Sequence, residues 1–278
     1  MTDSPQPAIE APRRFVPLSH ERHAHWRWQR FDSYSFAASQ WLAPVTAVEI
    51  PRATGRLVLG FARDAAGFQP VAVLGLQPGT NLFVTLAGKW IGGYVPASLR
   101  SHPFVLARTS DGRRVLCVDE KSEWVGADLA TGEPLFDPSG AVAAEVNKVT
   151  EFLVKLERQR KVTAAACTAL AQHNCLQPMT LRLAGKKEPL RPAGLYQVAE
   201  KTLNSLADDA FLDLRRHGAL PIAYGQLLSM QHVPLLQQLA KAHEEAAARE
   251  AAGSTLLGDG RDLTVFDWGG ILSFSGLQ

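Results

Sequence analysis

Cysteine is scarce in this chain: Cys117, Cys167 and Cys175 are the only three in 278 residues, and they form no Cys-x-x-Cys. An odd number cannot pair completely within one chain, which excludes a disulfide scaffold. Long hydrophobic runs are missing, since none reaches the roughly 18 consecutive apolar residues of a membrane-spanning helix. A charge bias is also missing. Lys plus Arg number 29 and Asp plus Glu 27, a net charge of +2. A dedicated polyanion binder needs a basic excess that offsets many phosphates, so nucleic acid is not the expected partner. Met1 to Pro12 contains acids, three prolines and no apolar stretch. A secretory signal needs a cationic start and an apolar run of roughly 7–15 residues. Residues 1–14 therefore read as a mobile N-terminus on a cytoplasmic protein, with leaderless export to the cell surface as the alternative.

Familiar catalytic signatures are absent as well. There is no G-x-S-x-G elbow and no H-E-x-x-H. Gly88-Lys89 is followed by Trp90, and no glycine stands five positions before Gly88, so this is not a phosphate-binding loop. Gly258-Asp259-Gly260 lacks the third glycine and the preceding strand of a dinucleotide fingerprint. Cys117 in an apolar strand and Cys167 on an apolar helix stripe read as core thiols.

What the sequence does have is strong patterning. Apolar residues make up 46% and charged residues 20%, enough to bury a core. Between Arg56 and Asp119 short apolar runs recur about every ten residues: Arg56–Ala62, Pro70–Leu76, Asn81–Thr85, Pro103–Arg108 and Arg113–Asp119. Asp64-Ala65-Ala66-Gly67, Gln77-Pro78-Gly79-Thr80, Ala87-Gly88-Lys89 and Ser110-Asp111-Gly112 separate them. That spacing predicts antiparallel hairpins. Val71 to Leu74 and Val115 to Val118 are apolar on both alternating faces, so helices must cover the sheet. The long helix is predicted over Ala141–His173, with Val142, Val146, Val149, Leu153, Leu156, Thr163, Cys167 and Leu170 in one stripe interrupted by Arg160. Met179–Leu183 and Leu195–Val198 read as further strands, and Glu200–His217 as a second helix stopped by Gly218. Pro221 and Pro234 suit the first turns of two more helices. The fold class is α+β: a mostly antiparallel meander covered by a long helix and a C-terminal helical block.

Four clusters carry potential chemistry. His20-Glu21-Arg22-His23-Ala24-His25 offers His20, His23 and His25 as ligands for a divalent transition metal, provided the segment is extended. On a helix, His23 and His25 diverge by about 200° and the site fails. No cofactor is otherwise expected. In His25-Trp26-Arg27-Trp28-Gln29-Arg30-Phe31, Trp26 and Trp28 form either an aromatic platform for a sugar or peptide, or a strand face packed on the core. The preferred pocket is built from Trp90, Tyr94, Arg100 and His102. Gly92 and Gly93 would let the backbone approach closely there, and Arg100 could hold a carboxylate bidentately. Asp119, Glu120 and Glu123 beside Trp124 form an acidic strand end, although neighbours on a strand point to opposite faces.

Several pieces stand in a distinctive order: Pro70-Val-Ala-Val-Leu-Gly-Leu76, Asn81-Leu-Phe-Val84, Gly93-Tyr-Val-Pro96, Leu99-Arg-Ser-His-Pro-Phe104, Val115-Leu-Cys-Val-Asp-Glu120 and Glu133-Pro-Leu-Phe-Asp137. Leu206 to Leu214, Gly218-Ala-Leu220, Ile222-Ala-Tyr224 and Leu227-Leu-Ser229 follow. From about His20 to Met230 the chain resembles the SapC family, which takes its name from bacterial surface-layer proteins. Residues 15–239 are then expected to form a single SapC-like domain, β-rich over 56–119 and helical over 141–173 and 200–239. Residues 240–278 follow as a charged helix and an apolar, Gly-rich tail with Phe266, Trp268, Ile271 and Phe274. The resemblance brings no established catalytic motif with it. Together with the missing signatures, it implies a non-catalytic, binding or surface-associated protein that presents a pocket to a peptide, glycan or protein partner. Many members are encoded beside flavin-dependent halogenase-like proteins. One alternative is therefore an enzyme or accessory protein acting with such a halogenase or an oxygenase. A self-assembling surface-layer component is the other, with the C-terminal tail as the contact of a homo-oligomer.

Overall fold

The computed structural model describes residues 15–109 and 112–256, with residues 250–256 by their backbone alone. Residues 1–14, Ser110-Asp111, Gly258-Asp259-Gly260 and the tail with Phe266, Trp268, Ile271 and Phe274 lie outside the described residues.

The strands are β1 (Phe15–Pro17), β2 (Arg27–Trp28), β3 (Leu42–Pro44), β4 (Val58–Asp64), β5 (Gly67–Val73), β6 (Phe104–Arg108), β7 (Arg114–Asp119), β8 (Val125–Gly126), β9 (Glu133–Pro134), β10 (Leu176–Pro178) and β11 (Leu195–Val198). The helices are α1 (His20–His23), α2 (Ile50–Ala53), α3 (Ala144–Gln172), α4 (Glu200–Asn204), α5 (Asp208–Arg216), α6 (Ala219–Ser229) and α7 (Val233–Leu256). All strand pairings are antiparallel, and the fold is α+β.

The hairpins form where the turn chemistry places them, β4 with β5 around Asp64–Gly67 and β6 with β7. They belong to different sheets, however. One sheet has the order β10-β11-β4-β5-β3, a second β1-β7-β6, and a small third β8-β2-β9. The edge strands β1 and β3 come from N-terminal residues whose short, Pro-containing sequences carry no alternation long enough to read.

Three sequence expectations change. Asn81–Thr85 is a turn segment: Leu82, Phe83 and Val84 are apolar because they are buried, and Val84 makes only an isolated bridge to Trp90. The Asn81 side chain organises that turn, donating to the Ala37 carbonyl at 3.1 Å and accepting from the Phe83 N–H at 3.0 Å. The strand expected at Met179–Leu183 sits earlier, at β10, and Leu181 keeps only a bridge to Leu190. The helix expected over Glu200–His217 is two helices. Ala207 is extended, and Asp208 and Asp209 open a new first turn, where acids favour a helix start.

Two apolar clusters form the interior. The larger joins Val58, Leu59, Phe61 and Val71–Leu74 of the five-stranded region with Ala166, Cys167, Leu170, Ile222, Ala223 and Leu236 of the helices. The smaller holds Trp28, Phe104, Val118, Leu135, Phe136, Val146 and Leu153. Helix α3, 29 residues and so about 43 Å long, serves both. Its N-terminal half packs on the smaller cluster and its C-terminal half on the larger. Arg160, the interruption in its stripe, stands at the surface where one core gives way to the other. Cys167 is fully buried, and burial pushes its thiol pKa up to about 12, which suits an inert core residue. All three cysteines are free. Among the described residues no helix is long and apolar enough to cross a membrane.

One polar contact closes the five-stranded sheet. The β11–β4 ladder pairs Leu195 with Ala62 and Tyr196 with Phe61, and in that register Val198 would come opposite Leu59. The strands part there. The Gln226 amide of α6 fills the gap, accepting from the Val198 N–H at 2.9 Å and donating to the Leu59 carbonyl at 3.2 Å. Ser229 Oγ accepts the Leu59 N–H at 2.9 Å. Helix α6 thereby supplies the hydrogen bonds that β11 no longer makes.

Candidate functional site

A pocket of about 420 Å³ opens beside the N-terminal half of α3. Its wall is drawn from three parts of the chain: Trp28, Arg30, Phe31 and Tyr34 from β2 and the segment after it; Arg100, Ser101 and His102 from the segment before β6; and Lys148, Val149 and Phe152 from α3. No acidic side chain belongs to this wall.

Each part is fixed by its own contacts. Trp28 is held by pairing with β8 and β9 and by an edge contact to Phe104 at 5.2 Å. Phe31 packs on Tyr34 at 5.1 Å and on Phe36 at 4.9 Å. The His102 imidazole stacks flat on Phe36, 3.8 Å between centroids and 5° between planes. The Arg100 guanidinium lies over the Phe152 ring at 5.4 Å, which covers one of its faces while its in-plane N–H groups keep their directions.

The anchor of the Arg100 segment is Glu49, a carboxylate only 4% exposed. One oxygen accepts from the Tyr94 hydroxyl at 2.9 Å and the Ala97 N–H at 2.7 Å. The other accepts from the Thr46 N–H at 2.9 Å and the Thr46 hydroxyl at 2.8 Å. Burial, and the adjacent Glu49, push the Tyr94 phenol well above its usual pKa, so it stays a donor. Trp90 ties the same segment from inside, its indole N–H donating to the Tyr94 carbonyl at 3.1 Å. Gly92 makes this possible: a Cβ there would meet Phe83 and the Trp90 ring, both at 2.9 Å.

The pocket thus unites three of the sequence candidates, Arg100, His102 and Trp28. Trp90 and Tyr94 stand behind the wall as supports. Trp26 turns elsewhere and meets His23 edge-on at 5.0 Å. Sequence reasoning missed Tyr34, Lys148 and Phe152 on the wall. For Phe152 the available signal was an aromatic residue one position off the apolar stripe of α3.

The structure does not bring His20, His23 and His25 together as one ligand set, because the segment is helical at α1. His23 is buried with Nε2 3.0 Å from a Glu120 oxygen and Nδ1 3.1 Å from the Ser19 carbonyl. His20 packs edge-on against Phe136 at 5.2 Å, and His25 is exposed. Among the described residues no group of three or more His, Cys, Asp or Glu is placed to share an ion. The acidic strand end also disperses. Glu120 pairs with Arg22, which holds its carboxyl below the usual range, while Asp119 is buried and accepts from the Lys121 N–H at 3.2 Å.

Two polar features of the site stand out. Trp28 is 4% exposed, and its indole N–H is buried with no acceptor among the described residues. His102 Nε2 lies 2.8 Å from Ser122 Oγ, which also accepts the Trp124 N–H at 3.2 Å. Ser122 is itself largely buried and does not belong to the pocket wall.

Among known proteins, no curated sequence and no solved structure matches this chain. The SapC family model matches residues 18–236, most of the chain, and it spans the smaller apolar cluster, nearly all of the larger one, α3 and every wall of the pocket. On that match the chain belongs to the SapC family.

Proposed function

We propose that this SapC-family chain is a binding protein that uses the pocket beside α3 to hold part of a peptide, glycan or protein partner. The observation that carries the reading is the wall itself, where Arg30, Arg100 and Lys148 come together with Trp28, Phe31, Tyr34 and Phe152 and no acid among them. Aromatic faces and fixed N–H groups recognise ligands without making or breaking bonds.

The test is to probe peptide and glycan arrays with the labelled protein and with Arg100→Glu. Arg100 is exposed, so the variant should fold normally. Selective retention that falls about tenfold in the variant is expected, since a favourable charge becomes a repulsive one. Equal retention by both proteins, or none by either, would reject the reading.

A second reading, an enzyme, is favoured by the Ser122–His102 contact, because a hydroxyl hydrogen-bonded to an imidazole is the start of a nucleophile–base pair. A pocket ligand does not meet that hydroxyl directly, which is why binding is preferred. Treatment with a fluorophosphonate probe separates the two. The binding reading expects no covalent adduct. Labelling of Ser122 that disappears in Ser122→Ala would establish the enzyme.

A further inference from the structure

We propose that the pocket takes a carboxylate carried on a flat apolar group, with Arg100 and Arg30 as the donors that hold it. The inference rests on the binding reading above and narrows it to one ligand chemistry.

Charge points to an anion. Arg30, Arg100 and Lys148 line the pocket with no acid among them. Lys148 is matched by Glu145, one turn away on α3. Among the described residues Arg30 and Arg100 form no ion pair, so two guanidinium groups remain for a ligand. A guanidinium packed over an aromatic ring, as Arg100 is over Phe152, still presents its planar edge, the geometry that a carboxylate matches bidentately.

A carboxylate has about four lone-pair sites, enough for Arg30 besides the Arg100 fork. The Tyr34 phenol is raised in pKa by burial, which keeps a further donor on the wall.

Shape sets the remainder of the ligand. Trp28, Phe31, Tyr34 and Phe152 present flat apolar surface. The volume of about 420 Å³ is near the lower end of the roughly 300–1,000 Å³ of small-molecule sites. It fits a group the size of one large side chain with its acid head. That chemistry has two sources, a free aromatic acid and the C-terminal aromatic residue of a peptide.

Calorimetry and ¹H–¹⁵N spectra of the indole groups test this on the full chain. The probes are 3-phenylpropionate, its amide, phenylphosphonate, and N-acetyl-Gly-Gly-Phe with a free or an amidated C-terminus. Acids should bind and move the Trp28 indole resonance, with the amides roughly 10- to 100-fold weaker, the range of a charge-assisted hydrogen bond. Arg30→Gln should weaken the acid about tenfold. Arg100→Gln should weaken it similarly, and both side chains are exposed, so both variants should fold normally. Tighter binding of the free acid or of the free-C-terminus peptide identifies the source, and either supports the inference. Equal binding of acids and amides, preference for phenylphosphonate, or binding that leaves Trp28 unmoved and ignores Arg100→Gln would overturn it. The array result above would still stand in those cases. Blank arrays would instead remove the binding reading itself.

Discussion

Replacing Gln226 with alanine should lower stability by about 3 kcal/mol, although the residue touches neither the pocket nor a charge. Its amide bridges the Val198 N–H and the Leu59 carbonyl where β11 and β4 separate, and all three residues are buried. The alanine variant orphans both backbone groups, each at about 1–3 kcal/mol. For a domain of this size the melting temperature should fall by roughly 6–12 °C. Hydrogen exchange makes the prediction local. The Val198 amide should lose protection, while the Leu59 amide, held by Ser229, should lose less. Gln226→Glu should be no better, because its second oxygen would face the Leu59 carbonyl. Unchanged exchange at Val198 would show that the bridge does not form.

Glu49→Gln should cost a comparable amount, about 2–4 kcal/mol, for the reverse reason. Each Glu49 oxygen receives two donors, one of them a backbone N–H. A glutamine amide must turn its own NH₂ group toward either the Ala97 or the Thr46 N–H, placing donor against donor. Tyr94→Phe removes one donor and leaves the Ala97 bond, so about 1 kcal/mol is expected. Because Tyr94 and Ala97 lead directly into the segment carrying Arg100 and His102, Glu49→Gln should also weaken whatever the pocket binds. Chemical denaturation with the array assay would check both effects. A Glu49→Gln protein as stable as wild type would mean that the buried carboxylate is not the anchor of that segment.

These two residues show where sequence reading stops. Patterning located α3 to within three residues at its N-terminal end and one at its C-terminal end, because a 29-residue amphipathic helix repeats its signal many times over. It located the β4–β5 hairpin because Asp64 to Gly67 has turn chemistry between two apolar runs. Asn81–Thr85 read as a strand because burial in an irregular turn leaves the same apolar mark as burial in a sheet. Thr46-x-x-Glu49 has the spacing of a capping box, which marks a helix start but not the burial or the second set of donors. Gln226 left no signal, since one amide in an apolar context looks alike whether it faces solvent or a gap between strands.

The site divides the same way. Arg100, His102 and Trp28 drew attention through residue type, a cation and aromatics beside glycine and proline turns. Their convergence with Tyr34, Lys148 and Phe152 depended on α3 passing between two cores, a contact across more than a hundred residues of chain. The histidine cluster reversed for a local reason: one turn of helix at α1 pointed His20 and His23 at Phe136 and Glu120.

The order of residues alone determined the α+β class, the long helix and the principal hairpins, because those depend on short-range periodicity and turn chemistry, while the SapC kinship came from the order of its motif segments. Only tertiary structure decided that the hairpins lie in separate sheets, that Gln226 substitutes for a ladder bond, and that a cationic, aromatic pocket forms beside α3. Those features come from long-range packing and from the need to pair every buried polar group, and neither leaves a periodic trace along the chain.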